Sequence, residues 1–311
     1  MTNFLNENLN PKHYSLVKQI GKGAFSSVYL YKKNTINTTQ PNKLVYKVIK
    51  DKYYKYSKKE TDLLDLLSKY NNKYIVKYYG YFEKINTQTL VFEYLDSNLY
   101  NFYKNTVFYN INDIIKICYQ IFKGLKFIHS FDIIHTDLKP ENIMINEYTY
   151  KTKIIDFGSI QQISTQSKKH FYICTRYYRA PEIIYNINYN QSIDIWSAGC
   201  IFAELLMRKP LFPVKNEKQL FKLINNLLGS PKLTDYLYTE KYREQFIYKN
   251  ANTNNTKLEY LKTPLCFKYK FNHYLDKYDS SKVINLYIIE LLKKILNYDY
   301  NLRPTALECL K

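Results

Sequence analysis

The chain has 311 residues, of which 46% are hydrophobic and 23% charged, a balance that supports one or two packed domains and excludes disorder along its whole length. The formal net charge is +19, but the lysines are scattered, which reads as a solvated surface more than as a site built for a polyanion. Five cysteines with no CxxC pair, a polar N-terminus and no apolar run of about 18 residues point to an intracellular protein of the nucleus or cytoplasm, with no membrane span.

Residues 1–13 read as a polar extension. Short β-type runs follow at 14–20 and 27–31, flanking a glycine-bearing turn, and at 43–49. The stretch 58–69 places Leu63, Leu64 and Leu67 at helical spacing, and 75–82 and 89–92 read as further strands. The pattern then turns helical. Segment 112–129 carries Ile114, Ile117, Ile121, Leu125 and Ile128 on one face with Asn112 as its N-cap, 192–207 is apolar enough for a buried helix, and 283–296 repeats Ile284, Ile288, Leu291 and Ile295. Residues 232–282, rich in Tyr, Lys and Asn, read as an irregular insertion. The whole is an α+β chain with a small β-rich lobe at about 14–95, a larger helical lobe at about 96–311, and a cleft between them for a ligand.

Glycine is scarce, with 7 in the chain, so its placement is informative. Gly21-Lys22-Gly23-Ala24-Phe25-Ser26-Ser27-Val28, preceded by Ile20, sits between the first two strands; glycine there lets backbone N–H groups approach a phosphate without a Cβ clash. Leu44-Val45-Tyr46-Lys47 ends a strand run on a lysine. Residues 135–142 read His-Thr-Asp-Leu-Lys-Pro-Glu-Asn, and Asp156-Phe157-Gly158 follows a short apolar run. Asp137, Asn142 and Asp156 beside Lys139 supply what phosphoryl transfer needs: an acid to orient a hydroxyl, hard oxygen ligands for Mg²⁺, and a cation near the transferred group.

Together these strings resemble the protein-kinase signature over roughly residues 14–311. The resemblance implies a two-lobed kinase-like fold using ATP and Mg²⁺, with Ile20 to Val28 and Val45 lining the nucleotide. Lys47 would hold the phosphates and pair with Glu60, and Asn142 and Asp156 would hold the metal. Backbone groups of Glu93 and Leu95 would bind the adenine, with Phe92 closing the pocket. Asp137 would act as base and Lys139 would neutralise the transferred group; a lysine at that position is the serine/threonine type. Two departures stand out: Ser26 replaces the third glycine, and Val45 replaces the usual alanine. Glu182 would pair with Arg303 as an architectural contact. A pseudokinase scaffold is the alternative of another class, and it fits poorly with every expected polar residue being present. A nucleic-acid-binding domain would need a clustered basic face with stacking aromatics, and no such motif is visible.

Residues 172–182, Tyr-Ile-Cys-Thr-Arg-Tyr-Tyr-Arg-Ala-Pro-Glu, resemble the CMGC group of kinases. Thr136 in place of the usual arginine, Ser159 after Gly158, and the run from Phe92 to Tyr100 resemble the dual-specificity tyrosine-regulated branch, with CLK-like and glycogen-synthase-kinase-like branches next. That branch implies autophosphorylation on Tyr172, and Arg176 and Arg179 are the expected phosphate partners. Partners are expected to be protein substrates rather than nucleic acid or membrane, with the chain acting as a monomer.

Overall fold

The computed structural model describes residues 11–34, 41–84, 87–106, 110–163, 173–229, 265–278 and 281–311. Its first sheet contains β1 (Tyr14–Lys22), β2 (Ser26–Lys33), β3 (Lys43–Ile49), β4 (Tyr78–Lys84) and β5 (Thr87–Glu93), antiparallel in the order β1-β2-β3-β5-β4. Alternation along β3 serves two layers. Leu44 and Tyr46 pack outward with Tyr14, Phe82 and Val91, whereas Val45 packs inward against the main core, the side to which Lys47 also belongs by parity.

Helix α1 (Tyr54–Ser68) starts before the predicted 58–69 and buries Ser57, Glu60, Thr61, Leu64 and Leu67, one stripe at helical spacing. Thr61 Oγ1 donates to Gln88 Oε1 at 3.0 Å, fastening α1 to β5. The segment 75–82 is strand only from Tyr78. Ile75 instead pairs with Ile154 of β9 (Thr152–Ile154), flanked by Val76 N to Ile154 O and Ile154 N to Tyr74 O, both 2.9 Å. Gly124 makes room for that seam, since a Cβ there would lie 2.8 Å from Ile154 Cδ1 and 3.1 Å from Tyr74 O.

The second lobe adds β6 (Ser97–Asn98), α2 (Leu99–Asn105), α3 (Ile111–His129), β7 (Ile133–Ile134), β8 (Ile143–Ile145) and β10 (Gln161–Gln162). It is completed by α4 (Pro181–Ile184), α5 (Ser192–Met207), α6 (Glu217–Leu228), α7 (Leu265–Leu275) and α8 (Lys282–Ile295). The cap of α3 is Asn110, not Asn112: Asn110 accepts from the Asp113 amide, and the Asp113 carboxylate accepts from the Asn110 amide. This reciprocal pairing satisfies two otherwise orphaned donors. Every residue of α5 is buried, as its apolar circumference demands. Irregular structure was expected through 232–282, but α7 is a helix, because Phe267, Phe271 and Leu275 recur every fourth residue and bury one face. Residues 230–264 lie outside the described part. No helix among the described residues is long and apolar enough to cross a membrane.

Candidate active site

Lys47 occupies the middle strand of the sheet, paired with Val28 on one side and Leu90 on the other. Its ammonium lies 2.7 Å from Glu60 Oε1 and 2.9 Å from Asp156 Oδ1, joining sheet, helix α1 and the segment after β9. Burial would lower the Lys47 pKa, but the two carboxylates outweigh it and raise it, so the group is a permanent cation. Lys47 in turn draws the Asp156 carboxyl down to about 2, against the opposing effect of desolvation. Asp156 has a left-handed backbone, φ 63°. Gly158 completes the cluster by being small: a Cβ would sit 3.1 Å from Lys47 Nζ and 3.3 Å from Asp156 Oδ1.

The second cluster forms on the loop after β7. Asp194, buried at the start of α5, accepts from the His135 amide at 2.8 Å and the Thr136 amide at 3.0 Å, and contacts His129 Nε2 at 2.9 Å. The loop is therefore braced from behind by the buried helix. On it, Asp137 Oδ2 lies 2.6 Å from Lys139 Nζ, and Asp137 Oδ1 accepts from Thr175 N at 3.0 Å and Thr175 Oγ1 at 2.7 Å. Asn142 Nδ2 donates to the Asp137 carbonyl at 2.8 Å, which turns its amide oxygen away from that carbonyl. The Asn142 carbonyl accepts from Ile155 N at 3.0 Å, so Asn142 and Asp156 are held on adjoining backbones.

The glycine turn closes with Gly23 N donating to Ser26 O at 2.9 Å, while Phe25 is exposed. Val45 stands opposite Phe92, whose ring is buried against Tyr78. The Glu93 side chain does not turn toward the nucleotide region. It accepts from Lys77 N at 2.6 Å and pairs with Lys153 Nζ at 2.5 Å, and the Glu93 amide donates to the Lys77 carbonyl at 3.0 Å, which leaves only the Glu93 carbonyl for an adenine. Leu95 packs, half-buried, on the main core.

Tyr172 lies outside the described residues. Arg176 opens a short turn that lines a cavity of about 660 Å³ beside Asp137, with Phe25, Tyr100, Glu141, Thr175 and Tyr177. Arg179 is buried, and its guanidinium is engaged by Glu217 Oε1 at 2.5 Å and the Cys174 carbonyl at 2.8 Å. Glu182 and Arg303 form the expected bidentate pair, at 2.6 and 2.7 Å, fully buried, with the guanidinium over the Trp196 ring. Thr175 falls within the 172–182 run, which does not single it out, and nothing in the sequence marks Glu217 as a site residue. Glu217 is the first residue of α6, capped by Asn216, and that N-terminal position was the available signal.

The protein kinase domain family matches residues 14–311. The chain belongs to the protein kinase family. Serine/threonine-protein kinase RIM11/MSD1 of Saccharomyces cerevisiae is 31% identical to this kinase over 301 residues, covering 94% of the chain and 74% of the relative. Serine/threonine-protein kinase ICK of Rattus norvegicus is 33% identical over 304 residues, covering 96% of this chain and 44% of the relative. Homeodomain-interacting protein kinase 1 of Caenorhabditis elegans is 32% identical over 311 residues, 96% of this chain and 36% of the relative. The kinase thus spans most of the first relative and less than half of the other two. These relatives place it in the CMGC group of serine/threonine kinases.

Proposed function

We propose that the chain transfers the γ-phosphate of ATP to serine or threonine hydroxyls of protein substrates. The observation that carries this reading is the meeting of the Lys47–Glu60–Asp156 cluster with the Asp137–Lys139–Asn142 cluster. Lys47, held cationic between two carboxylates, would bind the α- and β-phosphates. Asp137 orients the attacking hydroxyl and accepts its proton, and Lys139 stands 2.6 Å from it to offset charge on the moving phosphoryl group.

The residues fit Mg²⁺. Asp156 is anionic with one oxygen committed to Lys47, and Asn142 is fixed by its own amide nitrogen, so each can offer a hard oxygen. Mg²⁺ takes few protein ligands and completes its shell with phosphates and water, which agrees with the described residues forming no cluster of three or more acidic, His or Cys groups. When bound, the ion would neutralise phosphate charge. The cavity beside Asp137 would take the segment of substrate flanking the target hydroxyl.

Within the CMGC group, autophosphorylation on Tyr172 in the manner of the dual-specificity tyrosine-regulated branch is our finer reading. Thr136, Ser159 and the run at 172–182 support it. Because Arg179 is held by Glu217 and Cys174, the phosphate would exchange with that pair or rely on Arg176. Protein made in bacteria, wild type beside Asp137→Asn, tests both levels by phosphopeptide mass spectrometry. Phosphate on Tyr172 in the wild type alone agrees with the full reading. Phosphate confined to serine and threonine retains the kinase and rejects the tyrosine step. Equal, phosphate-free spectra, with no transfer to a generic protein substrate, reject both.

A further inference from the structure

Three consecutive carbonyls of the glycine turn converge on one lysine that no motif accounts for. Lys50 Nζ donates to Gly23 O at 2.7 Å and to Ala24 O at 3.0 Å, and the Lys50 amide donates to Phe25 O at 3.0 Å. A trans peptide plane carries its N–H opposite its C=O. Turning the carbonyls of residues 23 and 24 toward the Lys50 ammonium therefore turns the amides of Ala24 and Phe25 the other way. The direction follows from strand parity. Residues 44 and 46 of β3 face the outer cluster, and Lys50, in the same parity, continues that side; Val45 and Lys47 face the cleft. The two carbonyls held by the Lys50 ammonium on the outer side leave the Ala24 and Phe25 N–H groups directed to the side of Lys47, while the Phe25 carbonyl is fixed in the plane of the sheet by the Lys50 amide.

The same connection grips the turn twice. The Tyr53 amide donates to the Lys50 carbonyl at 2.8 Å, and the Tyr53 ring meets the exposed Phe25 ring edge-on, with centroids 4.7 Å apart. Tyr53 immediately precedes α1, which carries Glu60. Sheet, turn and helix are thus tied at one point.

We propose that Lys50 is a positioning residue that latches the glycine turn with its amides facing the cleft, so that the turn is ready for a polyphosphate before one binds. This rests on the nucleotide-binding reading above. Lys50 touches neither phosphate nor reacting atoms; it acts through the backbone of residues 23–25. The carbonyls would otherwise repel phosphate oxygens, and two successive amides facing one way form a concave anion site.

Calorimetric titration of the full chain with ADP and with adenosine, both with Mg²⁺, tests the assignment. Lys50→Met is expected to weaken ADP about tenfold while adenosine is unchanged, and Lys50→Arg to recover most of the loss. Amide hydrogen exchange at residues 23 and 50, whose N–H groups bond Ser26 O and Phe25 O in the nucleotide-free protein, is expected to speed up in Lys50→Met. Unchanged ADP affinity overturns the proposal, as does equal weakening of both ligands, which would mean general damage to the cleft. Weaker ADP with unchanged exchange also overturns it, because the lysine would then act only as a distant charge. Wild-type protein that binds neither ligand would instead refute the nucleotide site itself.

Discussion

Thr175 gives both its amide and its hydroxyl to a single oxygen of Asp137, at 3.0 and 2.7 Å, and its hydroxyl oxygen also lies 3.2 Å from Lys139 Nζ. The segment after residue 172 therefore reaches the proposed base directly and fixes its rotamer. Thr175→Val keeps the shape and the amide but deletes the hydroxyl. A hydrogen bond to a charged group contributes about 1.5–3 kcal/mol, so single-turnover phosphorylation of a peptide should slow by roughly ten- to hundredfold. Adenosine affinity should stay constant; if it falls too, Thr175 supports the lobe and not the base.

Lys47→Met should reduce the rate of phosphoryl transfer by about 10²–10³, the scale for losing one preorganised donor to developing charge. Glu60→Gln should cost less, because Asp156 still holds the ammonium at 2.9 Å. Steady-state kinetics of the two variants, side by side, check the order. A larger loss in Glu60→Gln would assign α1, not the ion pair, the dominant part.

The Glu182–Arg303 pair is fully buried, so removing one partner strands a charge. Arg303→Met is expected to lower stability by about 3–5 kcal/mol, and Glu182→Leu combined with Arg303→Met to recover a good part of it. Denaturant unfolding of the single and double variants measures both. Additive losses would mean that packing against Trp196 matters more than charge.

Gly199 on α5 faces α8 so closely that a Cβ would lie 2.3 Å from Ile295 Cγ2. Gly199→Ala should destabilise by about 1–3 kcal/mol through overpacking, and Ile295→Leu, which removes the Cγ2 methyl on the β-carbon, should relieve part of that loss in the double variant. Thermal unfolding would show the coupling as non-additivity.

Glu204 lies buried between Tyr103 and Tyr178, both donating to its carboxylate, the latter at 2.7 Å. Burial pushes its carboxyl above the ordinary value, and the two tyrosine donors pull against that. The folded state thus binds the Glu204 proton more tightly than the unfolded chain. Its contribution to stability is fully present below the unfolded pKa, near 4.5, and is lost as pH rises through the higher folded value. Relative to Glu204→Gln, the wild type should therefore lose stability as pH rises across that window. A difference between the two proteins that is flat with pH, in melts at matched ionic strength, would refute the shift.

The strands and helices that alternate or repeat cleanly were legible in the sequence. Segment 43–49 falls where its β-branched, apolar run puts it, and 192–207 is found because it is apolar on every side and long enough for a buried helix. Motif spacing likewise led to Lys47, Glu60, Asp137, Asn142 and Asp156, which converge in space. Errors arose where a nearby residue offered the same chemistry. Asn112 and Asn110 are both good caps, and only Asn110 has Asp113 to complete the exchange. The helix at Leu265–Leu275 was hidden by the Tyr- and Lys-rich composition around it. Thr175, Lys50 and Glu217 act through contacts between distant segments or through backbone carbonyls, and neither leaves a pattern in a linear string.

Thr136, in the left-handed region at φ 66° and standing where the resembling kinases usually carry arginine, donates its hydroxyl to the Ser159 carbonyl at 2.7 Å. The join between the Asp137 loop and the Asp156 segment is thereby electrically neutral at this point. Salt screens charges and leaves a neutral hydrogen bond intact, so this join should hold at ionic strengths that weaken the ion pairs around it.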